Sequence, residues 1–272
     1  MTSSAAGRGP IGFVPRVLAI PAIVGLALLT LPLVALVLRV DWSTLWADIT
    51  SAEALSALGL SLATGLTATA VCVVLGVPLA LLIARSRART AAVLRALVTV
   101  PLVLPPMVGG VAMLFLFGRT SLLGAMLAEW GIRIPFTTTA VVLAQTFVAL
   151  PFLVLALEGS LRTTGVGYEQ AAAALGAGRW TILGRVTLPL AAPGLIAGVV
   201  LCFARAIGEF GATALFAGNA PGVTQTMPLA IYTAFNGAGV SQGSAVALSL
   251  LLLVTAVAVL LLVRAWRPEA QR

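Results

Sequence analysis

Long apolar runs separated by short polar segments dominate this chain. Charge-free runs occupy 17–38, 58–84, 96–117, 134–157 and 243–263. As a helix rising about 1.5 Å per residue, each is long enough to cross a hydrocarbon core of about 30 Å. A sixth run, 191–216, is equally apolar apart from Arg205 and Glu209. The pattern predicts an all-α polytopic membrane protein with six transmembrane helices. The run 17–38 exceeds the apolar core of a cleaved signal peptide, and Arg39, Val40 and Asp41 offer no small-residue cleavage site, so it is expected to remain as the first span. The expected organisation is a tail at 1–16, a six-helix membrane domain at 17–263 and a second tail at 264–272.

Composition narrows the chemistry. Of 272 residues, 60% are hydrophobic and 9% charged, with a mean hydropathy of +1.12, whereas soluble domains carry about 25% charged residues. The 16 basic residues are all Arg, and His is absent. A phosphate-binding loop needing Lys, a Schiff-base lysine, a histidine base and a histidine metal site are therefore excluded. The 2 cysteines, Cys72 and Cys202, are too few for a cysteine-only zinc site and lie in apolar runs, as small buried residues do. No catalytic residue, metal ligand or cofactor is expected.

The charges also orient the chain. With the N-terminus inside, Arg8, Arg16, Arg85, Arg87, Arg89, Arg95, Arg162, Arg179, Arg185, Arg264, Arg267 and Arg272 fall on the cytoplasmic side, against Arg39, Arg119 and Arg133 outside. This positive-inside bias predicts that both termini are cytoplasmic. The net charge of +8 and pI of about 11.4 thus reflect topology, and no nucleic-acid partner is expected.

The third run carries Pro101, Pro105, Pro106, Gly109 and Gly110, which remove backbone donors or weaken a helix where lipid supplies no replacement bonds. Two readings are open: a kink or broken start facing protein or water, or prolines occupying a first turn. Between the fourth and fifth runs lie 33 residues, 158–190, where helix connections in bundles need about 2–8. Within them Tyr168, Ala171, Ala172 and Leu175 recur on one helical face, and Gly176 and Gly178 are placed to end the helix. A short helix lying on lipid and a partner-docking helix both fit this pattern.

From Gln170, the sequence Gln170-Ala171-Ala172, three residues, Gly176, nine residues, then Val186-Thr187-Leu188-Pro189 resembles the cytoplasmic signature loop of permease subunits of binding-protein-dependent ABC importers. The family pattern has Glu where Gln170 stands, with Glu169 one place earlier here, and Ile where Val186 stands. The resemblance implies an ABC importer permease fold in which this loop docks on a separate ATP-hydrolysing subunit. Glu169, Gln170, Ala171, Ala172, Gly176, Leu188 and Pro189 would then carry the coupling.

Arg205 lies twelve residues, about 18 Å, after the expected start of its span. An unpaired Arg near mid-membrane costs about 2.5–3.5 kcal/mol on insertion scales, and Glu209 at i+4 can neutralise it. The pair is either a self-contained structural contact or an adjustable positive site for a crossing anion, with Gly208, Gly211, Thr213 and Asn219 adding donors along a translocation path. The stretch 204–235 resembles the same region of molybdate-type permeases, as do the proline-rich third run and the Gly118-Arg119 turn. Gly208-Glu209-Phe210-Gly211-Ala212 favours molybdate or tungstate over the related sulfate and thiosulfate permeases, which tend to carry Tyr and Ser in this run.

By resemblance the partners are a dimer of ATP-binding subunits, a second permease copy in a homodimer, an extracytoplasmic molybdate-binding protein and membrane lipid, in a bacterial plasma membrane. The external segment 217–242 would by resemblance lie near the outer gate and the binding protein, while its apolar residues fit ordinary packing between helices equally well. An ion-coupled secondary transporter is the rival, but charge within the runs is confined to one of them and no inverted repeat is evident.

Overall fold

The protein is described by a computed structural model covering residues 16–237 and 242–265. Most of the expected tails, with Arg8, Arg267 and Arg272, and residues 238–241 of the external segment lie outside the described residues. The described residues are organised as helices and connecting turns. Helix α1 (Ala19–Leu38) buries none of its residues. After α2 (Leu45–Ile49), Ser51 accepts a bond from the Ala54 amide at 3.2 Å and starts α3 (Ala52–Arg85). Its 34 residues reach about 51 Å, well beyond a hydrocarbon core. Asp48 in α2 accepts a bond from Ser244 at 2.8 Å, tying α2 to α13 (Gln242–Ala265).

The centre is α7 (Thr138–Thr164), capped by Thr137, with α3 and α10 (Leu188–Ile207) packed most extensively on it. The facing surfaces are small. On α3 the small buried residues Ala68, Cys72, Gly76 and Ala80, at four-residue spacing, face α7, while Ala54 and Ala57 nearer its start pack with α12 (Met227–Asn236) and α13. A Cβ on Gly76 would lie 2.5 Å from a methyl of Leu153, and one on Gly198 of α10 would lie 3.2 Å from the Leu153 backbone. Both helices thus close on the same turn of α7, burying Leu153, Val154, Leu157 and Leu161. Cys72 and Cys202 are buried in this packing, in one cluster with Ala68 and Leu153.

Two expected spans are interrupted. The run 96–117 is not one helix: α4 (Ala88–Val103) and α5 (Pro106–Phe117) meet at 109°. Leu104, extended at ψ 134°, precedes Pro105, whose ring disfavours a helical conformation before it, and Pro106 sits in the first turn of α5. Both sequence readings therefore meet in one feature, a break whose second half starts on proline. The run 191–216 is also divided. Here α10 ends at Ile207, and α11 (Gly211–Phe216) begins after Gly208-Glu209-Phe210.

The segment 158–190 is shorter as a connection than the sequence suggests. Helix α7 continues to Thr164, and the next helix begins at Arg179, passing through α9 (Arg179–Ile182) and a π-helical stretch, Leu183–Thr187, into α10. Only 165–178 stand apart, holding α8 (Gly167–Ala174). Helices α6 (Leu122–Glu129) and α12 (Met227–Asn236) complete the set. The start of α12 and the segment before it are anchored inward: the Met227 amide donates to Ser61 at 2.7 Å and the Thr138 hydroxyl donates to the Val223 carbonyl at 2.9 Å.

Four described helices are long and apolar enough to cross a membrane: α1, α3, α7 and the continuous Arg179–Ile207 helix. The bent α4–α5 pair could serve as a further span, and α13 carries a shorter apolar stretch, Gly243–Val259.

Because Gly198 faces the Leu153 backbone, which cannot rotate aside, Gly198→Val is expected to cost about 1–3 kcal/mol through overpacking. Thermal melting in detergent checks this; an unchanged midpoint would show that α7 and α10 are not held this closely.

Candidate functional site

Helix α8 projects from the bundle between glycine turns. Gly165 precedes it at φ 71° and Gly176 follows it at φ 83°, the left-handed region that disfavours other residues. The Gly176 amide donates to the Ala173 carbonyl and the Ala177 amide to the Ala172 carbonyl, both at 3.0 Å, closing the last turn as a C-cap does. No atom lies within 4 Å of where a Gly176 Cβ would stand, so that glycine is required for its backbone conformation and not for space. Of the predicted face, Tyr168 is 65% exposed, Leu175 90% exposed and Ala171 exposed, while Ala172 is half-buried. Trp180, in α9 just beyond the glycines, is 85% exposed. Gln170 is exposed, Leu188 half-buried and Pro189 exposed in the first turn of α10.

Glu169 points inward. Its Oε1 accepts from an Arg85 Nη2 at 2.5 Å and from the Thr187 hydroxyl at 2.9 Å. Nearby, Glu158 receives Arg95 through two nitrogens, at 3.1 and 2.5 Å, and Arg162 at 2.7 Å, binding α4 to α7. Sequence reasoning used Glu158 only as a boundary; its partner Arg95 lies 63 residues away, beyond the reach of local spacing.

The second site is the break after α10. Arg205 stands in the last turn, not within an uninterrupted span as expected, and its Nη2 meets Glu209 Oε2 at 2.6 Å. Glu209 is 1% exposed and does a second task, which the sequence did not reveal: its Oε1 accepts from the Ala212 amide at 2.7 Å, satisfying a free donor at the start of α11. Arg205 keeps a 27% exposed side chain, and a guanidinium carries five donors, so donor capacity remains beyond Glu209.

Helices α5 and α11 lie against each other at glycines. A Cβ on Gly110 would stand 2.8 Å from the Ala212 carbonyl oxygen, and one on Gly211 3.0 Å from Pro106 Cβ. Of the other path candidates, Gly208 and Asn219 are exposed, with Asn219 donating to Thr233 at 2.8 Å. Thr213 is fully buried, and its hydroxyl lacks a hydrogen-bond partner among the described residues. Gln145 of α7, also fully buried, has no partner for either end of its amide there. The one amide side chain in the charge-free run 134–157 was the available signal, and sequence reasoning passed over it. Among the described residues no cluster of His, Cys, Asp or Glu could hold a metal ion.

Residues 76–271 match the family described as binding-protein-dependent transport system inner membrane component. The chain belongs to this family. Among relatives, it is 53% identical over 254 residues to the molybdenum transport system permease protein ModB of Mycobacterium tuberculosis, covering 93% of this chain and 95% of that protein. It is 34% identical over 223 residues to the sulfate transport system permease protein CysT of Escherichia coli, covering 81% and 80%. A solved bacterial ABC transporter involved in import of the acidic polysaccharide alginate has the same fold, at TM-score 0.69 and 16% identity, covering 94% of this chain and 95% of that one. This transport-system component is thus a multi-pass membrane protein of the importer permease fold.

For a family member with its charge pair at a helix break, the balance of charges is testable. Glu209→Gln leaves the Arg205 charge unbalanced and should lower stability by about 1–3 kcal/mol, while Arg205→Gln with Glu209→Gln should recover most of it. Detergent melting of both variants measures this; equal losses would contradict the pairing.

Proposed function

We propose that this chain is the membrane permease subunit of an ATP-driven, binding-protein-dependent importer carrying molybdate, or tungstate, across a bacterial inner membrane. The observation that carries the reading is the 53% identity to a ModB protein across 95% of that protein's length. Six spans with both termini cytoplasmic are supported by the arginine distribution. That orientation places α8 on the cytoplasmic side, with Tyr168, Leu175 and Trp180 offered to an ATP-binding subunit. The tails 1–16 and 264–272 would lie on the same side.

The chain would act as a channel without hydrolysing ATP itself, in keeping with the lack of any Lys for a phosphate-binding loop. Two copies would pair around a two-fold axis, each receiving one ATPase subunit, with the path between them. Closure of the ATPase pair on ATP would draw the two α8 helices together and open the path outward to a binding protein; hydrolysis would reset it. Arg205, Gly208 and Asn219, which keep exposure in the single chain, are the path residues we favour for anion contact. Glu209 would hold Arg205, while Gly211 and Thr213 would set α11 against α5 and α7. A channel that held the anion tightly could not release it, so selectivity would rest largely with the binding protein.

A second reading, a sulfate or thiosulfate permease, has the CysT similarity in its favour. Reconstituted vesicles distinguish the two. With the ATPase subunit, the binding protein and ATP, molybdate uptake is expected, and competition should rank molybdate and tungstate above sulfate. Uptake without ATP, or a leading sulfate, would overturn the proposal. Gly176→Asp strains the left-handed turn after α8 by about 1–2 kcal/mol and is expected to reduce ATP-driven uptake at least tenfold with membrane insertion retained. Normal uptake would reject coupling through α8. If the double Arg205→Gln, Glu209→Gln variant carries molybdate as well as the parent, the pair is structural only.

A further inference from the structure

A helix that receives force can deliver it only if it is fixed to what must move. Helix α8 has no buried residue and is joined to the chain through left-handed glycines at both ends, Gly165 and Gly176. Its backbone connections are therefore turns, and the apolar packing that would make it part of the bundle is missing. Against this, Glu169 is engaged from two directions, by Arg85 in the last turn of α3 and by Thr187 at the end of the π-helical stretch leading into α10. Helices α3 and α10 are the two that pack most extensively on α7, both closing on it at Leu153.

We infer that Arg85, Glu169 and Thr187 form a clasp that makes α8 move with α3 and α10, and that Glu169 is a positioning residue turned away from the ATPase subunit. The inference rests on the reading of α8 as the docking helix and assigns its neighbouring acid a task inside the permease. A single carboxylate oxygen receives both donors, so a displacement of α8 acts on both helices together. The π-helical stretch has a part in this. One extra residue per turn offsets the helical register by about 100°, and Leu183–Thr187 ends on the residue whose hydroxyl reaches Glu169. Gln170, next in sequence and exposed, is left free for the partner.

The ion pair is part-exposed on both sides, and such pairs contribute little to folding stability. Its loss should therefore show in transmission while the permease still folds. The experiment uses the full chain reconstituted with the ATPase subunit and binding protein, scoring copurification of the ATPase subunit and oxyanion uptake per ATP hydrolysed. Arg85→Ala, Glu169→Ala and Thr187→Val are expected to retain copurification. The first two should lower uptake per ATP by about fivefold or more, with a smaller fall for Thr187→Val. The exchange Arg85→Glu with Glu169→Arg should restore at least half of the parent ratio.

Unchanged uptake per ATP in both alanine variants, or failure of the exchanged pair to restore a ratio that each single variant loses, would overturn the clasp. Loss of copurification in Glu169→Ala with retention in Arg85→Ala would also overturn it, by placing Glu169 on the partner's face. Absence of copurification with the unsubstituted chain would instead refute the docking reading, which separates the two failures.

Discussion

The structure depends on close approach of backbones around α7. In lipid the tails surrounding a helix are as apolar as its partner, so association cannot draw on removal of apolar surface from water; it rests on packing and on polar contacts between helices. Small residues supply the packing. Gly76 and Gly198 admit α3 and α10 to the same turn of α7 at Leu153, and Gly110 and Gly211 bring α5 and α11 together at a second point. Elements that lie outside this packing, above all α1, present apolar side chains outward as lipid-facing helices do.

The two helix breaks have different causes and a shared result. At Leu104-Pro105 the proline geometry ends α4; at Gly208 the helix stops and Glu209 takes the free amide of Ala212. Each break would leave backbone groups unsatisfied in hydrocarbon unless protein supplies partners, and each is lodged against the other through α5 and α11. The resulting region contains Arg205, the charge left at a break with exposure of its own, and the amide of Gln145, which has no partner among the described residues, lies in the same central helix that α11 contacts.

Much of this was legible in the chain. The apolar runs locate α1, α3, α7, α10 and α13; the i, i+4 spacing of Arg205 and Glu209 gives their pairing; and the two glycines mark the end of α8. The breaks were less legible: the prolines of 96–117 left a kink and a proline first turn both open, and Arg205 and Glu209, the charges that flank the break in 191–216, read as an ion pair inside one continuous span. The length of the connection at 158–190 was overstated for the opposite reason. Arg162, Arg179 and Arg185 read as loop residues, although helices extend beyond the apolar core when their polar ends reach water. Contacts between distant positions escaped altogether: Arg85 and Glu169 are 84 residues apart, and no periodicity links them.

The account stands on α8 facing the compartment that holds the motor. Leu175→Cys, at a position 90% exposed on the helix, places a reactive thiol there while Cys72 and Cys202 remain buried. A membrane-impermeant maleimide should label this variant in inside-out vesicles and leave it unlabelled in intact cells. Labelling from the outside of intact cells would put α8 on the wrong face of the membrane and contradict the transport mechanism built on it.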